Sequence, residues 1–188
     1  AAMPNLRAGN PHTEISVDSG DAATRREAMI QAMDAQGITD PNHRAAMMAQ
    51  AHHETGGFGV SEENFNYSGN RLFELFGVGN EYGNRVRFNS VDEANALVSQ
   101  GKSAVGDVIY GGRMGNDAEG DGYKFRGRGA FQLTGKDNYS RYSQQLFGDD
   151  RLVENPELVN DPVIGAQVAA AYYQDNIIDR GIAGNNVD

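Results

Sequence analysis

Two acidic segments of the chain lie on either side of a short turn rich in glycine. Glu54 ends a helical pattern, Gly56 and Gly57 follow it, and Glu62 and Glu63 come just beyond. In one straight helix, Glu54 and Glu63 would be separated by about 13.5 Å and would lie on opposite faces. Two carboxylates that flank one scissile bond must be roughly 5–9.5 Å apart. Because glycine permits the chain to turn back, the pattern predicts two acids at one cleft. It is equally typical of a helix C-cap followed by a solvated acidic turn.

The helix that precedes the turn places its acid on an apolar face. Asp40 and Pro41 are typical of a helix start, since aspartate caps the helix and proline fits its first turn. Met47, Ala51 and Glu54 then follow at helical spacing. A carboxyl on such a face is expected to be partly desolvated, which favours its neutral, proton-donating form.

Periodicity and capping residues predict helices along most of the remaining chain. A first helix is predicted from about Ser19 or Asp21 to Gly37. Further helices are predicted at 68–76, with Ser68 as the cap, at 90–100 and at 135–147, with a short helical turn toward Tyr110. The last helix is predicted at 163–173, capped by Asp161, and it is expected to be the buried central helix because it is apolar nearly all round. The glycine-dense stretch 111–129 is predicted to be a loop with a small hairpin, because polar and aromatic residues alternate at 123–126. The fold class is therefore mainly α.

Bulk composition limits the classes of protein. The chain has 188 residues, 39% of them hydrophobic and 22% charged, as in an ordinary single domain. Residues 1–20 are predicted to be an arm or linker and residues 21–188 the domain. No apolar run is long enough for a membrane span, and no signal segment is visible. The chain has no cysteine, which excludes a disulfide scaffold and a thiol nucleophile.

The charge argues against nucleic acid as a partner. The net charge is −10, whereas nucleic-acid binding depends on clustered lysine and arginine. One local basic group exists at Lys124, Arg126, Arg128, Lys136 and Arg141, interleaved with aromatic residues. In an acidic chain, we do not expect it to bind nucleic acid.

Neither a cofactor nor a catalytic metal is expected. The run His52-His53-Glu54 lacks the second histidine that a zinc-protease motif requires. The segment 117–122 resembles the start of a calcium loop, but its twelfth position is Arg128 and not glutamate. A turn is the preferred interpretation there, and a weak divalent site is left open. No nucleophile elbow or phosphate-binding loop is present.

Two blocks of sequence resemble the family 19 glycoside hydrolases, a chitinase-like group that includes many phage endolysins. The first block is His53–Phe58 with Glu62–Ser68, and the second is Tyr110–Asn116 with Gly120–Gly135. The segment Gly127-Arg128-Gly129, continuing to Gln132-Leu133-Thr134-Gly135, matches the family motif, and Asn138-Tyr139 follows it. The likeness extends over residues 40–180 and is poor at 77–105.

The resemblance implies a lysozyme-like helical fold and roles for particular residues. Glu54 matches the general acid, Glu63 stands where a water-activating base is needed, and Thr134 matches a hydroxyl that holds the water. Gln132 and Asn138 match positions that line the sugar cleft, and His53 and Tyr123 are further cleft candidates. A turn or cap role is the alternative for Gln132 and Asn138.

The resulting expectation is an enzyme that cleaves β-1,4 bonds between amino sugars by the inverting route. Peptidoglycan is preferred over chitin because the cysteine-free pattern is closer to phage endolysins. A lytic transglycosylase, a chitinase and a non-catalytic wall-binding module are the alternatives. We expect action at the bacterial wall, as part of a larger lysin, tail protein or effector delivered by phage lysis or a secretion apparatus. The family's C-terminal Asn-Gly-Gly-type turn is missing from 182–188, so either this is a fragment or its cleft is completed differently.

Overall fold

The computed structural model describes residues 20–184, and this part of the chain is mainly helical, as predicted. The helices are α1 (Ala22–Gln36), α2 (Pro41–Glu54), α3 (Gly69–Phe76), α4 (Val91–Ser99), α5 (Lys102–Tyr110), α6 (Asp121–Lys124), α7 (Lys136–Phe147), α8 (Arg151–Glu154) and α9 (Pro162–Tyr173). A 3₁₀ segment at Pro156–Asn160 precedes α9, and a π-helical turn at Gln174–Ile178 follows it. The predicted arm lies outside the described residues, apart from Gly20.

Side-chain caps fix several helix starts at the predicted positions. The carboxylate of Asp21 accepts the N–H of Thr24, and that of Asp40 accepts the N–H of Asn42. Ser68 caps α3 in the same way, and Asp161 caps α9. These bonds satisfy backbone donors that a helix leaves free at its start, so the sequence itself sets the boundaries.

The helices form two lobes around separate apolar cores. In the larger lobe, α9 is the central helix: one face packs with α1 and α2, and another with α7, α8 and the 3₁₀ segment. The smaller lobe is built from α3, α4 and α5, and its core contains Phe65, Phe88 and Ile109. The prediction of a buried last helix is confirmed, since its residues from Val168 to Ala171 are all buried.

The predicted hairpin at 123–126 is wrong, because residues 121–124 form the short helix α6. Asp107 on α5 determines this structure: its carboxylate accepts the N–H groups of Gly120 and Gly122 at 2.7 and 3.1 Å. A tertiary contact therefore overrides the local alternation. Between residues 20 and 184 the only β pairing is three isolated bridges. Two of these join Arg128 to Glu62 and to Leu133, so the hairpin-like pairing lies later in the chain than predicted.

Candidate active site

The turn between the two acidic segments reverses the chain as the glycines predict. Gly56 and Gly57 have φ values of 61° and 94°, in the left-handed region that glycine adopts without strain. The N–H of Gly59 closes the turn on the carbonyl of Thr55 at 3.0 Å. The chain then leads directly into the segment that carries Glu63.

That segment is bound to the Gly-Arg-Gly loop by backbone hydrogen bonds. The N–H of Glu63 donates to the carbonyl of Gly127 at 2.8 Å, and the N–H of Gly129 donates to the carbonyl of Ser61 at 2.8 Å. The carboxylate of Glu63 is thereby placed on the frame that also carries Gln132 and Thr134.

The Glu63 carboxyl is half-buried and has one free oxygen. The Tyr110 hydroxyl donates to its Oε2 at 3.0 Å, whereas Oε1 is buried and has no hydrogen-bond partner among residues 20–184. Burial raises the pKa of Glu63 above its usual value, and the Tyr110 hydroxyl and the Arg126 charge oppose this rise. A buried acceptor without a partner is suited to receive a proton from a bound water.

Gln132 and Thr134 lie together on the other side of Gly127. A methyl group at Gly127 would approach Gln132 Oε1 to 2.7 Å and Thr134 Oγ1 to 3.2 Å, so a side chain there would displace both. Gln132 adopts a φ of 50°. Its side-chain Nε2 donates hydrogen bonds to Ser61 Oγ and to the Gly129 carbonyl, at 2.8 and 3.0 Å. Its Oε1 accepts no bond from this loop. The turn role weighed for Gln132 is therefore real, and it leaves an acceptor for a ligand.

Thr134 is oriented by its own loop. Its hydroxyl donates to the Gln132 carbonyl at 2.8 Å, and Asn138 donates to the Thr134 carbonyl at 2.8 Å. With its proton committed, the Thr134 oxygen can accept a hydrogen bond from water. Asn138 acts in this arrangement as a support for the Thr134 backbone.

An aromatic group forms the wall beside Glu63. The Phe65 ring lies 5.9 Å from Tyr110 and 5.7 Å from Tyr123, between ring centroids. The Arg126 guanidinium covers the Tyr123 ring at 4.1 Å. Tyr123, predicted as a cleft residue, thus belongs to the same wall as the partner of Glu63.

His53 and Glu54 differ from these residues in their surroundings. Both side chains are exposed at the end of α2, and within residues 20–184 the Glu54 carboxylate accepts a hydrogen bond only from the Gln50 amide, at 3.5 Å. The expectation of a partly desolvated Glu54 is therefore wrong, because the apolar face of α2 is buried only up to Ala51 and the helix ends beyond the core. In the described part of the chain, no hydrogen bond joins either residue to the Glu63 group.

Within the basic group, Arg126 and Arg128 are directed inward, whereas Lys124 and Arg141 are exposed. Arg128 is 3% exposed and bonds Glu62 at 2.7 Å and the Tyr139 hydroxyl at 2.9 Å. Arg126 pairs with the same Glu62 carboxylate at 3.0 Å. Two of the five basic residues therefore neutralise one acid and join the segment 62–63 to the Gly-Arg-Gly loop.

The turn preferred for 117–122 agrees with the contacts there. The Asp121 carboxylate accepts the Ala118 N–H at 3.0 Å, and the Lys136 ammonium lies 3.5 Å from Asp117 and 3.8 Å from Asp121. Across residues 20–184, no three acidic or histidine side chains are arranged to hold a metal ion. Over the same range, no helix is long and apolar enough to cross a membrane.

Comparison with known proteins decides the family. Over 155 residues the chain is 32% identical to a Haemophilus influenzae protein (strain ATCC 51907 / DSM 11121 / KW20 / Rd) described as a glycosyl hydrolase family 19 domain-containing protein. The alignment covers 79% of this chain and 71% of that protein. This chain belongs to glycosyl hydrolase family 19. The predicted resemblance and the prediction of a glycosidase are both confirmed at the level of this family.

The chain was also compared with models of protein families and with solved structures. No family model matches the chain. Among solved structures it is similar to chitinase C from Streptomyces griseus HUT6037, with a TM-score of 0.42 and 18% identity, over 86% of this chain and 68% of that one.

Sequence reasoning missed two residues of the candidate site. Tyr110 was part of a matched block but was given no role, because nothing in its spacing links it to an acid 47 positions earlier. Glu62 was given no role, whereas it is the common partner of Arg126 and Arg128. Its role depends on the burial of Arg128, which the sequence does not reveal.

Proposed function

We propose that this family 19 protein cleaves β-1,4 bonds between amino sugars of peptidoglycan by an inverting mechanism with two carboxylates. Glu54 donates its proton to the glycosidic oxygen, and the bond from that oxygen to the anomeric carbon breaks. A water attacks that carbon from the opposite face and gives its proton to Glu63. The new hydroxyl then has the α configuration, and both carboxyl groups have changed protonation state.

The observation that carries the proposal is the environment of Glu63. One of its oxygens is fixed by Tyr110, and the other is buried and without a partner. Thr134, with its hydroxyl proton already donated, supplies a second acceptor on the same frame. In the proposed mechanism the attacking water donates one hydrogen to Glu63 and the other to Thr134, and it directs its lone pair at the sugar.

The open setting of Glu54 gives it a different part in the reaction. The Glu54 side chain is exposed at the end of α2. A sugar strand laid over the end of α2 would exclude water from it and favour the neutral donor. We therefore propose that substrate binding itself prepares Glu54.

Support for peptidoglycan over chitin comes from the cysteine-free sequence, which resembles the phage endolysins of family 19. We place the activity at the bacterial wall, with delivery by phage lysis or a secretion apparatus, and we propose that the domain serves within a larger lysin, tail protein or effector.

Digestion of purified peptidoglycan, followed by turbidity and by mass spectrometry of the products, tests the proposal. We expect ordinary reducing ends, first released as the α-anomer. Anhydro sugar ends would identify a lytic transglycosylase, and cleavage of chitin alone would identify a chitinase. Retention on the wall without any released sugar would identify a binding module.

A further inference from the structure

A pocket opens on the larger lobe beside the turn that joins the two acidic segments. It contains about 430 Å³ of empty space, its open mouth included, which is within the roughly 300–1,000 Å³ typical of small-molecule sites. Thr55, Phe58 and Gly59 of the turn line it, together with residues of α1, α2, the 3₁₀ segment and α9. We call it the turn pocket. Among the described residues that line it, none is a candidate catalytic or cleft residue, so the pocket is separate from the site described above.

The turn pocket shares a wall with the frame that carries Glu63. Ser61 and Gly129 both line the pocket, and the N–H of Gly129 donates to the Ser61 carbonyl at 2.8 Å. The Ser61 hydroxyl accepts a hydrogen bond from Gln132 Nε2 at 2.8 Å, and its own proton has no acceptor among residues 20–184. Ser61 is therefore left with one hydrogen bond to donate to a ligand.

Two more polar groups of the wall lack partners. Arg25 and Asn160 line the pocket side by side, because the Arg25 guanidinium donates to the Asn160 backbone carbonyl. Within residues 20–184, Arg25 Nε and the side-chain Oδ1 of Asn160 are buried and have no hydrogen-bond partner. Folded proteins rarely bury polar atoms unpaired, so two such atoms at one pocket indicate a ligand that both accepts and donates hydrogen bonds.

The floor of the turn pocket is apolar. Met29, Ala51 and Ala166 line it from α1, α2 and α9, and all three belong to the buried core of the larger lobe. Water on this floor would have no hydrogen-bond partners there, whereas a methyl group would be removed from water favourably. The ligand that fits therefore has an apolar end as well as polar atoms.

Few small groups satisfy all of these contacts. A carboxylate only accepts hydrogen bonds and leaves Asn160 Oδ1 unpaired, whereas an ammonium group only donates them and is repelled by the charge of Arg25. A hydroxyl both donates and accepts, but it offers nothing to the apolar floor. An acetamido group has a carbonyl for Arg25 Nε or the Ser61 hydroxyl, an N–H for Asn160 Oδ1, and a methyl group for the floor.

We propose that the turn pocket binds the acetamido group of an N-acetylated amino sugar, outside the candidate cleft. The chemistry of the pocket specifies the acetamido group, and the choice of an amino sugar rests on the proposed function. Because such sugars recur along a wall polymer, a second contact of this kind would keep the protein on its polymer between cleavage events.

Nuclear magnetic resonance of the isotope-labelled protein tests the proposal, with N-acetylglucosamine and glucose as probes. Amide signals of Gly59, Ala130 and Gly165 report on the pocket, and those of Glu63 and Tyr110 report on the cleft. We expect N-acetylglucosamine to shift the pocket signals with a Kd of about 1–10 mM, as for a sugar held by one substituent. Glucose has a hydroxyl in place of the acetamido group and should leave the pocket signals in place.

Two variants and their matched controls identify the contacts. Asn160→Leu removes an oxygen that has no partner in the fold, so binding at the pocket should weaken about 5-fold or more while the Tm stays equal or rises. Arg25→Met removes the Nε donor and should weaken binding similarly. The controls Asn70→Leu and Arg26→Met replace exposed residues of α3 and α1 and should bind as the wild type does.

Each outcome has a definite meaning. Loss of the pocket shifts in the two pocket variants alone supports the proposal. Movement of the cleft signals alone, no movement at all, or equal pocket shifts with glucose overturns it. Equal pocket shifts in the wild type and in both pocket variants also overturn it. Should Asn160→Leu melt below its control, the comparison of Arg25→Met with Arg26→Met decides.

Failure of the proposed function is recognised separately, by cleavage of purified sacculi. A wild-type protein that cleaves no sacculi but shows the pocket shifts defeats the proposed function and leaves the turn pocket standing. A protein that cleaves sacculi without any pocket shift does the reverse.

Discussion

The end of α2 and the segment after the turn each carry a candidate acid, but the two regions differ in how much the protein controls them. Glu54 is exposed and has a single long contact from Gln50. Glu63 is half-buried, bonded by Tyr110, and attached through its own N–H to Gly127. Glu54 is open to solvent, whereas the position of Glu63 is fixed by contacts within the fold.

This difference matches two tasks. A base must be aimed at one water, and a fixed carboxylate with a raised pKa is suited to that. An acid that protonates the leaving oxygen must meet a substrate that enters and leaves, so an open position gives access. We therefore expect substitutions at Glu63 and its neighbours to change the stability of the fold, whereas substitution of Glu54 should change activity alone.

Removing the open acid should have the largest effect on activity. We expect Glu54→Gln to lower peptidoglycan cleavage by about 10³-fold or more, since the leaving oxygen loses its proton source. Because the side chain is exposed, the melting temperature should not change. Glu27→Gln, an exposed glutamate on α1, is the control for both measurements. Retention of a tenth of wild-type activity would contradict the acid assignment.

Removing the fixed base should reduce activity slightly less and raise stability. We expect Glu63→Gln to lower turnover by roughly 10²–10⁴-fold, the range for losing a general base. Burial raises the folded pKa of Glu63, so its contribution to stability is largest below the unfolded pKa and is lost as pH rises through the folded pKa. The neutral glutamine should therefore melt higher at neutral pH. A lower melting temperature would show that the charged form is the one the fold favours.

Removing the Thr134 hydroxyl should have an intermediate effect on activity. Thr134→Val should lower turnover by ~10–1000-fold, because it removes the acceptor for the attacking water. Thr134→Ser keeps the hydroxyl and should be mild by comparison. Steady-state rates of the two variants, measured side by side, decide the matter. Equal losses would indicate that the methyl group packs and that the hydroxyl has no role in the reaction.

The acid next to the base should affect the fold more than the chemistry. The Glu62 carboxylate pairs with Arg126 and with the buried Arg128. Leaving Arg128 without a charge partner should cost about 2 kcal/mol, less than the 3–5 kcal/mol known for fully buried pairs. Urea unfolding measures this, with the exposed Glu81→Gln as control. Unchanged stability would show that Arg128 is satisfied by Tyr139 and the backbone alone.

Local chemistry predicted much of the fold. The caps at Asp40, Ser68 and Asp161 were found because they satisfy donors within their own helix. Alternation at 123–126 misled because the helix there is fixed by Asp107, a residue on another element.

For the site, the motif match located the Gly-Arg-Gly loop and the residues on it, but burial could not be judged from spacing. Glu54 continues the stripe of Ala51, yet the core ends between them. Tyr110 acts across a distance in sequence that no periodicity spans. A residue that shifts the pKa of a candidate acid, as Tyr110 does for Glu63, is therefore not found from sequence spacing.

Removing the Tyr110 hydroxyl should have the smallest effect, and it tests specifically how the pKa of Glu63 is controlled. Its hydroxyl donates to Glu63 Oε2 and lowers the pKa that burial raises, so Tyr110→Phe should raise the pKa of Glu63 further. A base acts only when it is charged, so the acidic limb of kcat/KM against pH should move to higher pH. Above that limb the rate should stay near wild type, because the ring still packs on Phe65. Tyr67→Phe is the control: this half-buried ring also lies near Glu63 but donates it no hydrogen bond. A limb that stays in place, or that moves equally in the control, would mean that the state of Glu63 is set by burial alone.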